Sequence, residues 1–258
     1  LIRLFHVSDV HFGGEDQAAI QWFSHIVKTE QPDAVVVTGD LTLRALDKEF
    51  AQAFEWLESL DRPVTVEVGN HDLPYFNLWD RFVTPYRRFE GLKRLIEKPL
   101  NIKGVSIVPL KTTARFQFRF NWSKGYVSGS ALEATLDLVK ATPAGNLVIV
   151  TCHHPLVEAG TSMNSKTRKG KKALEALVAA GAHAVLTGHV HDPFDVPYEV
   201  KGRNVRLIGA GTLSERVRAH PPSFNEIYIR GDMMKTIVRV KGESAHPAAA
   251  ELPVTSNT

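Results

Sequence analysis

Residues 34 to 40 read Ala34-Val35-Val36-Val37-Thr38-Gly39-Asp40, a continuous apolar run that stops at a glycine and a carboxylate. A strand that is apolar at every position is buried on both faces, the condition of a parallel strand covered by helices. Four other runs repeat the pattern. Ile2 to Ser8 leads into Asp9-Val10-His11, and Val64 to Val68 into Gly69-Asn70-His71-Asp72. Leu147 to Thr151 leads into Cys152-His153-His154-Pro155, and Ala184 to Thr187 into Gly188-His189-Val190-His191. Amphipathic segments lie between them. Ile20, Phe23 and Val27 recur at helical spacing between Asp16 and about Glu30, and Leu46, Phe50, Phe54 and Leu57 do so after Asp40. Ala131 to Lys140 and Lys171 to Ala180 also read as helices.

Tyr75 to about Ile96 is aromatic and basic, and is expected to cap the site with short helices. Val105 to Pro109 and Arg115 to Phe120 read as strands. Phe194 to Val200, Val205 to Ala210, Asn225 to Arg230 and Thr236 to Val240 read as a closing β-meander. The pattern predicts an α/β fold, two sheets packed face to face with helices outside. One domain is expected over residues 1–241, followed by a flexible tail, 242–258, rich in Ala, Pro and Ser.

Composition narrows the function classes. Over 258 residues, 43% hydrophobic and 23% charged content is that of an ordinary globular protein with a sizeable core. A net charge of +3 implies no general affinity for nucleic acid or membranes, so neither partner is expected. No apolar run approaches the roughly 20 residues that span a bilayer. The lone Cys152 excludes an internal disulfide, and no signal-peptide pattern opens the chain, so a cytoplasmic location is expected.

The strand ends carry the chemistry. Asp9 and His11 stand two residues apart on an extended turn and point the same way, so both can reach one metal. The same holds for His189 and His191, with Gly188 allowing close backbone approach. Asp40, Asn70 and His153 close three further strands, and a mixed carboxylate, amide and imidazole set suits Mn, Fe or Zn. Two divalent ions less two carboxylates and a shared hydroxide leave a centre about one unit positive, which favours an anionic phosphoester.

These five motifs, in this order over roughly residues 3 to 230, resemble the calcineurin-like metallophosphoesterase superfamily. The short chain and the His153-His154-Pro155 turn look like the bacterial class III cyclic-nucleotide phosphodiesterases and glycerophosphodiesterases. The resemblance implies a four-layer α/β/β/α sandwich of two mixed sheets. It implies a first metal held by Asp9, His11 and His191, a second by Asn70, His153 and His189, and Asp40 bridging them. It implies attack on phosphorus by a metal-bridging hydroxide, with His71 as general acid or phosphoryl-oxygen donor. Asp72 is expected to orient the His71 imidazole or to cap the next helix, and Arg216 to contact substrate. The implied function is a dinuclear metal-dependent phosphodiesterase acting on small phosphoesters, cyclic nucleotides foremost. The alternatives are hydrolysis of a linear diester, a monoester or a UDP-diacylglucosamine-like pyrophosphate, or a non-catalytic scaffold.

Lys166, Arg168, Lys169, Lys171 and Lys172 could form a basic rim drawing phosphate groups in, or a solvated loop and helix start. Gly209-Ala210-Gly211-Thr212 reads as a tight turn between strands rather than a dinucleotide loop. Tyr75, Phe76 and Trp79 could stack on a base, although aromatics at helical spacing more often belong to the core. His6, His25, His154, His183, His220 and His246 lack ligand spacing and are given no role.

Overall fold

Apolar alternation along each strand sorts the chain into layers. The computed structural model describes residues 1–74, 77–97, 100, 102–114, 123–158, 160–161, 167–217 and 220–243. In chain order the elements are β1 (Ile2–Val7), α1 (Gln17–Glu30), β2 (Ala34–Val37), α2 (Asp47–Ser59), β3 (Val64–Val66), α3 (Leu78–Val83), α4 (Arg87–Ile96) and β4 (Val105–Pro109). There follow α5 (Gly129–Lys140), β5 (Leu147–Thr151), α6 (Gly170–Ala180), β6 (Ala184–Thr187), β7 (Phe194–Val200), β8 (Arg203–Gly209), β9 (Ser223–Arg230) and β10 (Met233–Val240). One sheet has the order β10-β9-β1-β2-β3, the other β4-β5-β6-β8-β7.

Val35 and Val37 turn outward and pack with Ile20, Phe23, Phe50 and Leu57 of α1 and α2. Ala34 and Val36, one residue out of phase, face Ile149, Leu186 and Ile227 between the sheets. On the far side Val148, Val150 and Val185 meet Leu174 and Leu177 of α6. The result is the expected four-layer α/β/β/α sandwich. Strands β1, β2 and β3 are parallel, as are β4, β5, β6 and β8. Their carboxyl ends therefore lie where open α/β sheets place ligands.

Helix starts follow local chemistry. The Asp16 carboxylate accepts from Ala19 N at 3.0 Å, and the Ser128 hydroxyl from Ala131 N at 3.1 Å, each satisfying an unpaired donor of the first turn. Short helices α3 and α4 follow the Asp72 turn, as expected. Arg88 ties them to Asp47 at the start of α2, and Tyr86 Oη donates to Thr113 O at 3.2 Å.

The closing strands differ from the expected meander. β7 and β8 form a hairpin on the second sheet, whereas β9 and β10 form one on the first, with β9 antiparallel to β1. Burial explains the split. β9 is buried over Ser223–Ile229 and supplies β1 with a second neighbour, which no continuation of β8 could do. Residues 209–212 consequently begin a crossing between sheets and are not a tight turn. The expected strand Arg115 to Phe120, Tyr75, Phe76, Lys166, Arg218, His246 and residues 244–258 of the expected tail lie outside the described residues. Among the described residues no helix is long and apolar enough to cross a membrane.

Glu67, just beyond β3, is buried between the sheets and accepts from Thr151 Oγ1 at 2.8 Å. Burial pushes its carboxyl from 4.5 up to about 7, against the opposing pull of Lys93. A carboxyl raised in the folded state favours folding below its ordinary range, and that contribution is lost as pH rises through about 7. Glu67→Gln keeps an acceptor for Thr151 without the buried charge. Urea unfolding of both proteins between pH 5 and 8 should show the variant gaining relative stability as pH rises.

Candidate metal centre

Five of the expected ligands occupy the left-handed backbone region, which non-glycine residues seldom adopt: Asp9 (φ 55°), His11 (53°), Asp40 (52°), His189 (71°) and His191 (60°). Asp and His tolerate it better than most, and here it turns each side chain back over the strand ends. Hydrogen bonds between loops hold the strained turns. Asp9 N donates to Gly39 O at 3.0 Å, His11 N to Asp40 O at 3.0 Å, and Gly188 N to His153 O at 2.9 Å. Two side chains cross between segments: Thr212 Oγ1 donates to Asp9 O at 2.6 Å, and Asp9 Oδ2 accepts from His189 N at 2.8 Å.

The imidazoles are oriented by main-chain carbonyls. Nδ1 of His153 lies 2.7 Å from Thr38 O, that of His191 2.7 Å from Arg216 O, and that of His11 3.3 Å from Thr42 O. A carbonyl only accepts, so each Nδ1 carries the proton and each Nε2 presents a lone pair inward. Those lone pairs meet one another and the carboxylates. Nε2 of His11 and His191 are 3.4 Å apart, and His191 Nε2 is 3.1 Å from Asp9 Oδ1. His153 Nε2 stands 3.3 Å from Asp40 Oδ2 and 3.1 Å from Asn70 Oδ1. Asp9 Oδ1 is buried without any hydrogen bond. Lone pairs converging on one buried space require a cation between them, so the donor set fits divalent metal.

The donors fall into overlapping groups. Ligand atoms of Asp9, His11 and His191 lie within 4.8 Å of one another, as do those of Asp9, Asp40 and His153, and those of His11, Asp40 and His71. His189 joins through His153, their ring centroids 5.1 Å apart. All seven expected ligands thus gather at one place. Asp40 Oδ2 lies 3.3 Å from His153 Nε2 and 3.9 Å from His11 Nε2, between the two sets.

Titration behaviour follows from this crowding. Burial opposes the charge of Asp9 and of Asp40. The imidazole of His191 beside Asp9, and that of His153 beside Asp40, nevertheless hold both carboxyls below the ordinary range. Burial would lower His153, but Asp40 overrides it and pushes that imidazole up to about 9. The same contest with Asp9 raises His191. His11 and His189 lose it and fall to about 4 and about 3.

His71 sits at the rim. Its main-chain N donates to Asp40 Oδ1 at 2.8 Å, its Nδ1 to Leu43 O at 2.8 Å, and its Nε2 faces Arg216 Nη1 at 3.1 Å. The expectation that Asp72 orients this imidazole needs correction. Asp72 accepts from Gly69 N at 2.9 Å, Thr42 N at 2.9 Å and Thr42 Oγ1 at 3.0 Å, which pins two ligand-bearing turns together. Leu43 O does the orienting. Burial, with Asp40 nearby, raises the Asp72 carboxyl to about 6.

His154 was missed by spacing. It is buried, with Nδ1 accepting from Thr112 Oγ1 at 3.0 Å and Nε2 donating to Ser123 O at 2.8 Å, and its ring lies 4.5 Å from that of His189. Both nitrogens are satisfied, so it buttresses the ligands and does not join them; adjacency to His153 was its only signal. Arg168, Lys169, Lys171 and Lys172 are exposed around the start of α6. Trp79 is 74% exposed and so is not core.

The model of the family described as calcineurin-like phosphoesterase matches residues 2–193, and the chain belongs to that family. It is 26% identical over 220 residues to one of the two components of the SbcCD nuclease of Staphylococcus epidermidis, covering 76% of this chain and 58% of that protein. It is 25% identical over 213 residues to a probable cyclic nucleotide phosphodiesterase of Rhodococcus erythropolis, covering 73% and 64%. The chain thus spans less than two thirds of either relative. Its fold is similar to a dimetal phosphatase from Danio rerio, with TM-score 0.67 and 13% identity over 93% of this chain and 99% of that one.

Glycines set how closely the turns approach. A Cβ on Gly188 would overlap the Ser8 hydroxyl and come within 2.7 Å of Asp9 Oδ2. Gly188→Ala should destabilise the protein by about 1–3 kcal/mol and reduce bound metal. Denaturant unfolding and metal analysis of the purified variant would check both effects.

Proposed function

We propose that this chain is a dinuclear metal-dependent phosphodiesterase, with cyclic nucleotides the leading substrate class. The observation that carries the reading is the set of three imidazoles whose Nδ1 atoms are tied to carbonyls while their Nε2 lone pairs converge on Asp9 and Asp40. Asp9, His11 and His191 hold one ion, Asn70, His153 and His189 the other, and Asp40 bridges them. Two divalent ions in such a site supply activated water near neutral pH and offset charge on phosphoryl oxygens. Mn, Fe and Zn all suit these donors.

The protein's own groups do the rest. With Nδ1 held by Leu43 O, the His71 ring can present only Nε2 to a substrate. An anionic ester entering the site draws the Arg216 guanidinium from His71 to a phosphoryl oxygen. His71 Nε2 then carries the proton handed to the leaving oxygen. Asp72 contributes by fixing the Gly69 and Thr42 turns. The cyclic-nucleotide assignment is supported by the resemblance of the motifs and by the Rhodococcus relative. A linear diester is the second reading, favoured by the exposed cations 168–172 and by the staphylococcal relative.

Turnover of cyclic nucleotides, bis-p-nitrophenyl phosphate and its monoester by metal-loaded protein tests the proposal. A metal pair with no turnover of any phosphoester would leave only a scaffold. Asp40→Ala should lose activity and both metals, since that carboxylate faces ligands of each; double occupancy retained in metal analysis would contradict the bridging role. His71→Ala should keep the metals yet slow esters with poor leaving groups by about 10²–10⁴-fold. Activated p-nitrophenyl esters should slow less, and equal slowing of the two would rule out proton donation.

A further inference from the structure

Helix α3 is inverted. Trp79, Phe82 and Val83 stand at i, i+3 and i+4 on one face and are 74%, 41% and 52% exposed. Its polar residues point the other way: Arg81 is buried and donates to Ala114 O at 3.3 Å, while Asp80 pairs with Arg88 at 3.2 Å. Core formation cannot explain an outward apolar ridge that includes tryptophan. Large exposed apolar patches on soluble folds mark surfaces that meet something.

The ridge lies beside the metal centre. It begins six residues after Asp72, and α4 behind it is tied by Arg88 to Asp47 at the start of α2. Two further exposed apolar residues border the same mouth: Leu46, in the segment that carries Leu43 O to His71, and Val217, next to Arg216. Cations accompany them. Val83 lines a groove of about 420 Å³ with Arg87, Arg94 and Glu90. At the same carboxyl end of the strands, Arg168, Lys169, Lys171 and Lys172 are exposed and outside any ion pair among the described residues. Cations at the first turn of α6 oppose its dipole, so helix stability does not account for them.

We propose that this end of the molecule docks on an anionic lipid surface, with Trp79, Phe82 and Val83 entering the headgroup boundary and the cations pairing with headgroups. Aromatic and aliphatic residues on one ridge, flanked by long cations, suit such a boundary. A second copy of the chain fits less well, because a two-fold contact through this ridge would set Arg87 and Arg94 against their own counterparts. A single-stranded nucleic acid would use Trp79 and the cations but leave Leu46, Val83 and Val217 without a role.

Co-sedimentation of the full chain with vesicles tests the proposal, using equal parts phosphatidylglycerol and phosphatidylcholine against phosphatidylcholine alone. Binding is expected only to the anionic vesicles, weakening with salt. Trp79→Ser combined with Val83→Ser should weaken it about tenfold or more while leaving bis-p-nitrophenyl phosphate turnover and the thermal midpoint unchanged. Lys169→Ala combined with Lys171→Ala should weaken binding most at low salt. Four outcomes would each overturn it: no binding to anionic vesicles, equal binding by the Ser variant, a dimer in sedimentation velocity that the Ser variant loses, or tighter binding to a single-stranded oligonucleotide than to vesicles. Vesicle binding is read independently of turnover, so failure of the phosphodiesterase reading is separable from failure of docking.

Discussion

Two carboxylates buried together govern this structure. Asp9 and Asp40 close adjacent parallel strands and sit almost wholly out of water, where like charges are costly unless compensated. Compensation comes from across the sandwich: His153 reaches Asp40 from β5 and His191 reaches Asp9 from β6. The centre is therefore also a junction between the sheets. The His153 link to Thr38 O and the Asp9 link to His189 N make the same crossing.

That junction accounts for the unusual backbone around it. Loops from different sheets can interlock only if they approach more closely than side chains normally permit. A Cβ on Gly69 would overlap the Asp40 carboxylate, and one on Gly39 would come within 2.6 Å of His153 Nδ1. Left-handed turns at five ligands have the same origin, since each must reverse the chain and still aim its side chain inward. Asp72 and Thr212 hold these turns through main-chain groups, which makes them supports of the centre and not participants in it.

Orientation separates the roles of neighbouring histidines. His153 and His154 are adjacent, yet only His153 turns a free nitrogen toward the carboxylates; Thr112 and Ser123 consume both nitrogens of His154. His71 follows Asn70 but looks outward to Arg216. No periodicity distinguishes such pairs, because the partners are carbonyls and hydroxyls distant in sequence.

What the sequence by itself determined is local and periodic. Apolar runs of the kind seen at 34–37, 147–151 and 184–187 can satisfy their surroundings only as buried parallel strands, and the polar residues that end them must then gather at the carboxyl edge. The layers, and the meeting of those polar residues at one place, followed from that constraint. The tertiary structure alone decided which sheet took the last two hairpins, which carbonyl fixed each imidazole, and that Asp72 ties turns rather than His71. It also decided that α3 faces outward. Each of these depends on contacts between residues far apart in the chain, formed only after the sheets have packed, and no spacing along the sequence encodes them.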